Sequence, residues 1–458
     1  MKVLMKRAYV LFIFSLLLVT GLLVFTVQYI NNASTWAHYP TNRHFYTNGQ
    51  LLSSGTVFDR SGAVLVQSSG GSVNFHENKT VRTAVMHATG DLHGNVATSV
   101  QVAFRGKLSG WDLVNGAYRF DGKTSRGSDL TLTLDAGLCG VAYNALAGRR
   151  GTVGVYNYKT GEILCMVSSP SIDPADPPKD LQAYPEKYEG VYLNRFLSAA
   201  YTPGSVFKLV TAAAALDSFN DIESELFYCD GHMQIGEDKV TCLSAHGEVN
   251  LKQALARSCN TAFAKISLKL GIGKLQKYAD LAGFNSYVRV NGIKTEAGRV
   301  DVSGAEGADL AWAGIGQYTN TANPLNFMAY IGAIANEGVS VNPKILKQEG
   351  RFASLIPSRG ESRRMLPADT AEKLGELMRN NTLSSYGEGH FPGLELCAKS
   401  GTAEVGGEKR PHAWFAGFLD REDLPLAFVV VVENGGAGRE VAGPIAAEVL
   451  QAAADKFK

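Results

Sequence analysis

The sequence predicts a protein of mixed α/β (α+β) class, with helices packed on an antiparallel sheet, preceded by a small domain and one transmembrane helix. Three observations support this prediction. Residues 8–30 form an uncharged apolar run, residues 31–128 are polar and irregular, and strong strand and helix patterns run from Asp129 to the end of the 458-residue chain. We therefore expect a cytoplasmic tip and anchor at 1–30, a spacer domain at 31–128 and a larger domain at 129–458.

The composition excludes several classes of protein. Hydrophobic residues make up 45% of the chain and charged residues 19%, which argues against a disordered, collagen-like or polytopic membrane protein. Lys and Arg exceed Asp and Glu by 44 − 43 = 1, so no net field attracts nucleic acid and we expect no nucleic-acid partner. Six cysteines are too few for a disulfide-built scaffold.

The apolar run at 8–30 is long enough to cross a membrane. As a helix rising about 1.5 Å per residue, its 23 residues cover the roughly 30 Å hydrocarbon core. Lys2, Lys6 and Arg7 precede the run, so the positive-inside rule predicts a cytoplasmic N-terminus and an extracytoplasmic remainder. A cleaved signal peptide is the alternative, but its apolar region is usually only about 7–15 residues long, and residues 29–32 offer no small-residue cleavage site. The sequence thus predicts a single-pass protein of the cell membrane.

The larger domain opens with an alternating strand at 130–134, a helix at 136–147 and a hairpin at 151–169. Further helices are predicted at 205–216, 250–257, 261–270, 273–282, 323–336 and 444–458, and further strands at 394–398, 413–419 and 426–432. Because strands stand at both ends of this region with helices between them, we expect the first and last strands to pair in one antiparallel sheet.

A serine and a lysine stand three residues apart at the start of the helix predicted from residue 205. Positions i and i+3 share one helix face, so the Ser205 hydroxyl and the Lys208 amine can touch. A serine hydroxyl needs an adjacent base to act as a nucleophile, and a lysine can be that base when burial and nearby cations lower its pKa. This is the only Ser-x-x-Lys in the chain, and its apolar neighbours predict burial.

Two further motifs follow in the chain. Ser258-Cys259-Asn260 lies at the joint between two predicted helices, and Lys399-Ser400-Gly401-Thr402 follows a strand near the C-terminal end. Another Lys-Thr-Gly, at 159–161, precedes the serine and lies at the tip of a predicted hairpin, so we interpret it as a turn.

Ser-x-x-Lys, Ser-x-Asn and Lys-Ser/Thr-Gly, in this order, are the motifs of serine β-lactamases and penicillin-binding proteins. Longer blocks resemble the class B penicillin-binding proteins; they lie at 151–155, 159–164, 168–170, 194–195, 314–317, 323–325, 399–404 and 412–417. Residues 55–62 resemble the Arg-Gly-x-Ile-x-Asp-Arg-x-Gly signature of that family, with Ser54 where arginine is usual. The chain is identified as a member of this class.

The resemblance implies a penicillin-binding transpeptidase (serine β-lactamase-like) domain on a pedestal, and a peptidoglycan D,D-transpeptidase activity. Ser205 would attack the carbonyl between the two terminal D-alanines of a pentapeptide stem, and Lys208 would take its proton, giving an acyl-enzyme. Ser258 would relay a proton to the leaving D-alanine, and Lys399 would hold the hydrogen-bonded chain. An amine of a neighbouring stem then forms the cross-link.

The same resemblance implies the residues that bind substrate. Asn260 would bind the substrate's backbone amide, because a carboxamide both donates and accepts hydrogen bonds. In the third motif, the Ser400 and Thr402 hydroxyls suit the terminal carboxylate, with Gly401 between them. Backbone N–H groups of Ser205 and Thr402 would form the oxyanion hole.

The expected partners are peptidoglycan pentapeptide stems, β-lactams as covalent inhibitors, the membrane and a glycosyltransferase of the cell-wall machinery; no cofactor is expected. A membrane-anchored serine β-lactamase is one alternative, but it needs a deacylating base, and no Glu-x-x-Leu-Asn run lies between Asn260 and Lys399. A β-lactam sensor or a non-catalytic scaffold is another, although the complete motif set argues for an active enzyme. The role in elongation, division or sporulation and the acceptor amine stay open.

The spacing of cysteines and histidines in the sequence matches no common metal-binding motif. Nine histidines are scattered without His-Glu-x-x-His or a Cys/His cluster at the usual zinc spacing, so we expect no metal. Cys229 and Cys242 flank a turn-rich stretch outside the membrane, where a disulfide could form, and the sequence leaves this open. Cys259, in the middle of the second motif, is not expected to be catalytic.

Overall fold

The computed structural model describes residues 2–39, 42, 45–47, 50–51, 53–111, 127–347 and 362–457. The chain divides into two compact units. The smaller comprises Met1–Val57, Val66–Asn74 and Phe104–Leu130; the larger comprises Phe58–Leu65, Phe75–Ala103 and Thr131–Lys458. The sequence-based limits at 31–128 and 129–458 stay a prediction, and part of that spacer, 112–126, lies outside the described residues.

The chain begins with a helix of 36 residues, Lys2–Ala37. The segment Lys2–Ala33 is long enough to cross a membrane and contains an apolar window, and no side chain of that window is buried by the protein itself. No second helix of this kind occurs in the described part of the chain. A single N-terminal apolar helix fits a single-pass membrane protein.

Between this helix and residue 131, the described part of the chain forms only short helices and strands. The strands are Tyr46–Thr47, Gln50–Leu51, Val57–Phe58, Val64–Ser69, Ser72–Phe75 and Leu130–Thr131, and the helices are Lys79–Thr89, Val100–Ala103 and Arg105–Ser109. In the smaller unit, Gly55 lies against the backbone at Ser128: a Cβ on Gly55 would come within 2.0 Å of the Ser128 carbonyl oxygen. Only glycine fits there, which explains the glycine of the 55–62 block.

The elements that build the larger unit are, in chain order, α1 Ala136–Leu146, β1 Gly151–Asn157, β2 Ile163–Ser169, α2 Lys208–Ser218, β3 Phe227–Cys229, β4 His232–Ile235, β5 Asp238–Thr241, β6 Gly247–Val249, α3 Leu251–Ala256, α4 Asn260–Leu281, α5 Pro324–Ala335, α6 Ala368–Asn381, β7 Leu396–Ala403, β8 His412–Leu419, β9 Leu426–Val432 and α7 Gly438–Phe457. Shorter pieces are the helices Arg195–Ser198 and Ala308–Gly314, the two-residue strands Arg289–Val290, Ile293–Lys294, Val339–Ser340 and Arg363–Arg364, the 3₁₀ turns Gly204–Phe207 and Glu388–His390, and the π-helical turn Thr382–Tyr386.

The core of the larger unit is a five-stranded sheet in the order β7-β8-β9-β1-β2. All four pairings are antiparallel. The predicted pairing of N-terminal and C-terminal strands is confirmed, because β9 pairs with β1 from Leu426 opposite Asn157 to Val432 opposite Gly151. Nearly every residue of these strands is buried, so the sheet is covered on both faces.

Successive side chains of β8 show which helices cover each face. Trp414 packs edge-on against Phe327 of α5, while its neighbour Phe415 lies beside Gly443 of α7. Since successive residues of a strand point to opposite faces, α5 and α7 cover opposite sides of the sheet. The predicted α+β architecture, an antiparallel sheet with helices packed on it, is confirmed.

Several element boundaries differ from the sequence-based ones. The strand predicted at 394–398 runs Leu396–Ala403, so the third motif lies within it and does not follow it, and the strand predicted at 130–134 is only Leu130–Thr131. The helix predicted from residue 205 starts as the 3₁₀ turn Gly204–Phe207. The two helices predicted at 261–270 and 273–282 form one run with a break at Gly271, where φ is 71°. The C-terminal helix starts at Gly438, six residues before Pro444; Gly438 sits so close to Gly401 and Trp414 that a Cβ would come within 2.4 Å of both carbonyl oxygens.

Candidate active site

Ser205 and Lys208 lie on consecutive turns where the 3₁₀ segment passes into α2. The Lys208 Nζ lies 3.1 Å from the Ser205 Oγ, so the predicted contact between them is present. Gly204, with φ at 55°, lets the turn approach β7: a Cβ there would be 2.7 Å from the Thr402 carbonyl oxygen. The Gly204 N–H also donates to the carbonyl of Gly316 at 2.9 Å. Glycine at 204 therefore sets the position of Ser205 against the third motif.

The Lys208 amine is fully buried and surrounded by oxygen atoms. Its closest partners are the Asn260 Oδ1 at 2.6 Å and the Ser258 carbonyl oxygen at 2.7 Å, both of which only accept hydrogen bonds. The hydroxyls of Ser205 and Ser258 are each 3.1 Å away. A neutral amine has two hydrogens and one lone pair. If the two hydrogens go to the two shortest contacts, the lone pair is left for a hydroxyl proton.

Burial lowers the pKa of Lys208 to about 7, because the interior disfavours the ammonium form. A sizeable fraction of the amine is thus neutral near neutral pH. The Lys208 Nζ also lies 5.7 Å from the centre of the Phe263 ring, so the wall behind it is apolar. Position and protonation state both suit a general base.

Ser258 connects the two lysines. Its Oγ lies 3.1 Å from the Lys208 Nζ and 3.1 Å from the Lys399 Nζ. Ser258 stands between α3 and α4 with φ at 52°, a left-handed conformation that costs about 1 kcal/mol or more for a residue with a Cβ. This backbone turn directs both the carbonyl and the hydroxyl of Ser258 toward Lys208.

Lys399 is buried at the edge of the sheet, on β7. Its Nζ donates to the Ser400 carbonyl at 3.0 Å in addition to the Ser258 Oγ. Burial, and then the nearby charge of Lys208, hold the pKa of Lys399 well below its ordinary value. The charge of Lys208 therefore disfavours the charged form of Lys399.

The other residues of the third motif complete this edge. Gly401 lies close to the turn that precedes α2: a Cβ on Gly401 would be 2.8 Å from the Pro203 carbonyl oxygen. The Thr402 Oγ1 accepts the Gly438 N–H at 3.3 Å. Because that bond uses an oxygen lone pair, the Thr402 hydroxyl hydrogen stays available to a ligand. The other Lys-Thr-Gly, at 159–161, lies in the turn between β1 and β2, as predicted.

Sequence reasoning missed two polar residues that contact the third motif. The Tyr386 hydroxyl accepts hydrogen bonds from the Ser400 N–H at 2.7 Å and from the Asn381 Nδ2 at 3.0 Å. It lies 2.9 Å from the Ser400 Oγ, and its single hydrogen must point there because its lone pairs are in use. The Asn381 Nδ2 also donates to the Ala398 carbonyl at 2.7 Å. Tyr386 ends a π-helical turn, a geometry that no short motif in the sequence indicates.

No carboxylate contacts this constellation within the described part of the chain: the hydrogen-bond partners of Ser205, Lys208, Ser258 and Lys399 are amines, amides, hydroxyls and carbonyls. The site can therefore transfer a proton from serine to lysine, but it shows no aspartate or glutamate placed to activate water.

Comparison with known proteins bears on this geometry. The profile described as the penicillin binding protein transpeptidase domain matches residues 151–451, which is more than half of the chain and includes all three motifs of the site. The chain belongs to the penicillin-binding protein transpeptidase family.

Relatives and solved structures agree with this membership. The peptidoglycan D,D-transpeptidase PbpA of Mycolicibacterium smegmatis is 29% identical over 368 residues, which are 73% of this chain and 74% of that protein. A ceftriaxone acyl-enzyme complex of penicillin-binding protein A from M. tuberculosis superposes with a TM-score of 0.75 at 25% identity, covering 88% of this chain and 98% of the other. The D,D-transpeptidase domain of a peptidoglycan glycosyltransferase from Eggerthella lenta gives a TM-score of 0.72 at 26% identity, with coverage of 88% and 98%. The predicted class B penicillin-binding protein and its transpeptidase fold are confirmed.

Proposed function

We propose that this penicillin-binding protein is a peptidoglycan D,D-transpeptidase whose nucleophile is Ser205 and whose base is Lys208. The observation that carries the proposal is the buried Lys208 amine. Both of its shortest contacts are acceptors, while the Ser205 hydroxyl lies 3.1 Å away. That arrangement suits removal of the hydroxyl proton as the oxygen attacks.

In the first half-reaction, Ser205 Oγ attacks the carbonyl carbon between the two terminal D-alanines of a stem peptide. Its proton moves to Lys208 Nζ, and the carbonyl oxygen becomes an oxyanion held by the N–H groups of Ser205 and Thr402. One such donor is typically worth about 3 to 4 kcal/mol of barrier. Collapse of the intermediate breaks the C–N bond, and the leaving amine takes a proton through the Ser258 hydroxyl.

Lys399 supports the proton transfer through Ser258, and the rest of the third motif serves binding. Lys399 supplies positive potential next to the Ser258 hydroxyl, 3.1 Å away. The hydroxyls of Ser400 and Thr402 donate to the terminal carboxylate, with Gly401 allowing the substrate to lie along β7. Asn260 binds the substrate's backbone amide through the part of its carboxamide that faces the cleft.

In the second half-reaction, an amine from a neighbouring stem attacks the ester carbonyl and Lys208 takes the amine proton. The C–O bond to Ser205 then breaks, the amide cross-link forms, and Lys208 returns the proton to the Ser205 oxygen 3.1 Å away. A β-lactam enters the first half-reaction in place of the stem and stays bound as an ester. The absence of any contacting carboxylate among the described residues favours a long-lived adduct over the β-lactamase alternative.

We also propose an orientation and a partner. Lys2, Lys6 and Arg7 would keep the N-terminus in the cytoplasm and place the catalytic domain at 129–458 outside, with the 31–128 region as its pedestal. A glycosyltransferase would supply the glycan strands, because cross-linking consumes stems on polymerised chains.

Labelling with a fluorescent penicillin tests the nucleophile. Wild type should gain the mass of one penicillin and keep it for many minutes, and Ser205→Ala should not label. Ser224→Ala, which changes an exposed serine of the same domain, is the matched control and should label like wild type. Labelling of Ser205→Ala, or rapid turnover of the drug by wild type, would contradict the proposal.

A further inference from the structure

Three cysteines and one histidine converge beside the second motif. Cys229 ends β3, Cys242 follows β5, His246 precedes β6, and Cys259 stands between Ser258 and Asn260. Their three Sγ atoms and a histidine ring nitrogen all lie within 4.8 Å of one another. This set is the Cys₃His cluster.

The distances within the cluster fit one tetrahedral ion. Cys229 Sγ and Cys242 Sγ are 3.7 Å apart, and Cys242 Sγ and Cys259 Sγ are 3.9 Å apart. The His246 Nδ1 lies 3.3 Å from the Cys229 Sγ. A zinc ion with Zn–S bonds of about 2.3 Å and a Zn–N bond of about 2.0 Å sets S···S near 3.8 Å and S···N near 3.5 Å. All six cysteines of the chain are free thiols in this structure.

Backbone N–H groups are directed at the sulfur atoms. The N–H groups of Asn260 and Thr261 point at the Cys242 Sγ, at 3.1 and 3.4 Å. The Ala262 N–H points at the Cys259 Sγ at 3.5 Å. Such donors commonly form the outer shell of metal-bound thiolates, where they offset the negative charge on sulfur.

The surrounding segment has little core of its own. Across strands β3 to β6, residues 227–249, only four side chains are buried: Phe227, Cys229, Val240 and Val249. Leu243 and Tyr228 are exposed. A small unit with so little apolar burial needs a cross-link to be stable, and the cluster occupies its junction with α4.

We propose that the Cys₃His cluster binds one zinc ion as a structural site that ties the 227–249 segment to the second motif. Four protein ligands leave no open position for water, which is the arrangement of structural zinc and not of catalytic zinc. Binding displaces the protons of the three thiols, and His246 coordinates through Nδ1 in its neutral form. Cys229 and Cys259 are buried while Cys242 and His246 are partly exposed, so the ion can enter from the side of the latter two.

The ligands flank the contacts that hold Asn260. Its Nδ2 donates to the carbonyl of Thr241 at 2.7 Å, next to Cys242, and its Oδ1 faces Lys208. Loss of the ion should therefore loosen Asn260 and slow acylation, a consequence that rests on the proposed function. Binding of zinc does not rest on it.

Elemental analysis of the full chain, purified in detergent without chelators, tests the site. Wild type should contain about one zinc per chain. Cys229→Ser and His246→Ala should lower the zinc affinity by more than the roughly 100-fold that loss of an outer-shell partner can cost. Cys139→Ala changes a buried thiol outside the cluster and is the matched control, with zinc content unchanged. Metal-free wild type refilled with Co²⁺ should show the intense visible bands of a tetrahedral cobalt thiolate.

Two outcomes overturn the proposal. One is metal-free wild type that binds neither Zn²⁺ nor Co²⁺ with its thiols reduced. The other is a mass lower by about 2 Da in the isolated protein, with a disulfide inside the cluster in place of the metal. Ser205→Ala should bind zinc like wild type. Zinc binding can therefore be judged even if the transpeptidase proposal fails. Because the cobalt experiment is made on the wild-type protein, misfolding of a variant cannot decide the outcome.

Discussion

The Oδ1 of Asn260 lies 2.6 Å from the Nζ of Lys208, closer than any other atom in hydrogen-bond contact with that amine. The residue proposed to bind substrate thus also orients the proposed base. Because this bond consumes an N–H of the amine, it helps to direct the remaining lone pair toward a hydroxyl. The first and second motifs therefore act as one unit, and a change in Asn260 is expected to affect acylation as well as binding.

Exchanging each lysine for arginine separates proton transfer from charge. Lys208→Arg keeps the positive charge but cannot deprotonate in a protein, so acylation by a β-lactam should fall by about 100-fold to 10,000-fold, the usual contribution of a general base. Lys399→Arg keeps the field and should lose only about 10-fold to 100-fold through altered geometry. Stopped-flow acylation of both variants gives the comparison. The opposite order of effects would require the two roles to be exchanged.

Acylation should depend on pH through Lys208. The neutral amine is the active form and its pKa is lowered to about 7, so the second-order acylation rate should rise as pH increases through about 7 and then level off. Measuring this rate with a fluorescent penicillin between about pH 5.5 and 8.5 checks the prediction. A profile that stays flat, or that falls with rising pH over this window, contradicts a neutral Lys208 as the base.

Tyr386→Phe tests the positioning of Ser400. The change removes the acceptor of the Ser400 N–H and the donor to the Ser400 Oγ, so that hydroxyl no longer has its hydrogen directed to a ligand. We expect apparent β-lactam binding to weaken by about 10-fold while the maximal acylation rate changes less, and stability to fall by about 1 to 3 kcal/mol.

Tyr158→Phe is the matched control for that variant, because the Tyr158 hydroxyl contacts only the Leu419 carbonyl, at 3.4 Å, among the described hydrogen bonds. It should leave both acylation parameters unchanged. A merely structural role for Tyr386 would show as lower stability with normal binding.

Gly204→Ala tests the close approach between the nucleophile turn and β7. The added Cβ would lie 2.7 Å from the Thr402 carbonyl oxygen at a φ of 55°, so the turn must move and Ser205 with it. A shift of the Ser205 hydroxyl by about 1 Å should slow acylation by about 100-fold. Gly148→Ala has a similar φ, 75°, with nothing within 4 Å of the new Cβ; it should lose about 1 kcal/mol of stability and no activity. Equal activities of the two variants in the acylation assay would show that the contact is unimportant.

The chemistry of the site could be predicted from local sequence because each motif is short and its geometry is local. Ser205 and Lys208 meet through helical spacing, so neighbours in sequence are neighbours in space. Lys399 to Thr402 lie within β7, whereas the sequence placed them after a strand. The apolar run at 8–30 and the strands of the main sheet carry equally local signals, which is why the single apolar helix and the antiparallel sheet were predicted correctly.

Other features depend on contacts between distant segments, which no periodicity records. Tyr386 reaches Ser400 only because a π-helical turn follows α6, and the spacing of the Cys₃His cluster, C-x12-C-x3-H-x12-C, resembles no usual zinc motif; folding of β3 to β6 brings its members together. The lowered pKa of Lys208 has the same origin, since burial of the amine by the folded chain sets the cost of the charge. Residue types and local spacing are written in the sequence, whereas protonation states and convergent ligands follow from packing, because they depend on which distant groups surround each side chain.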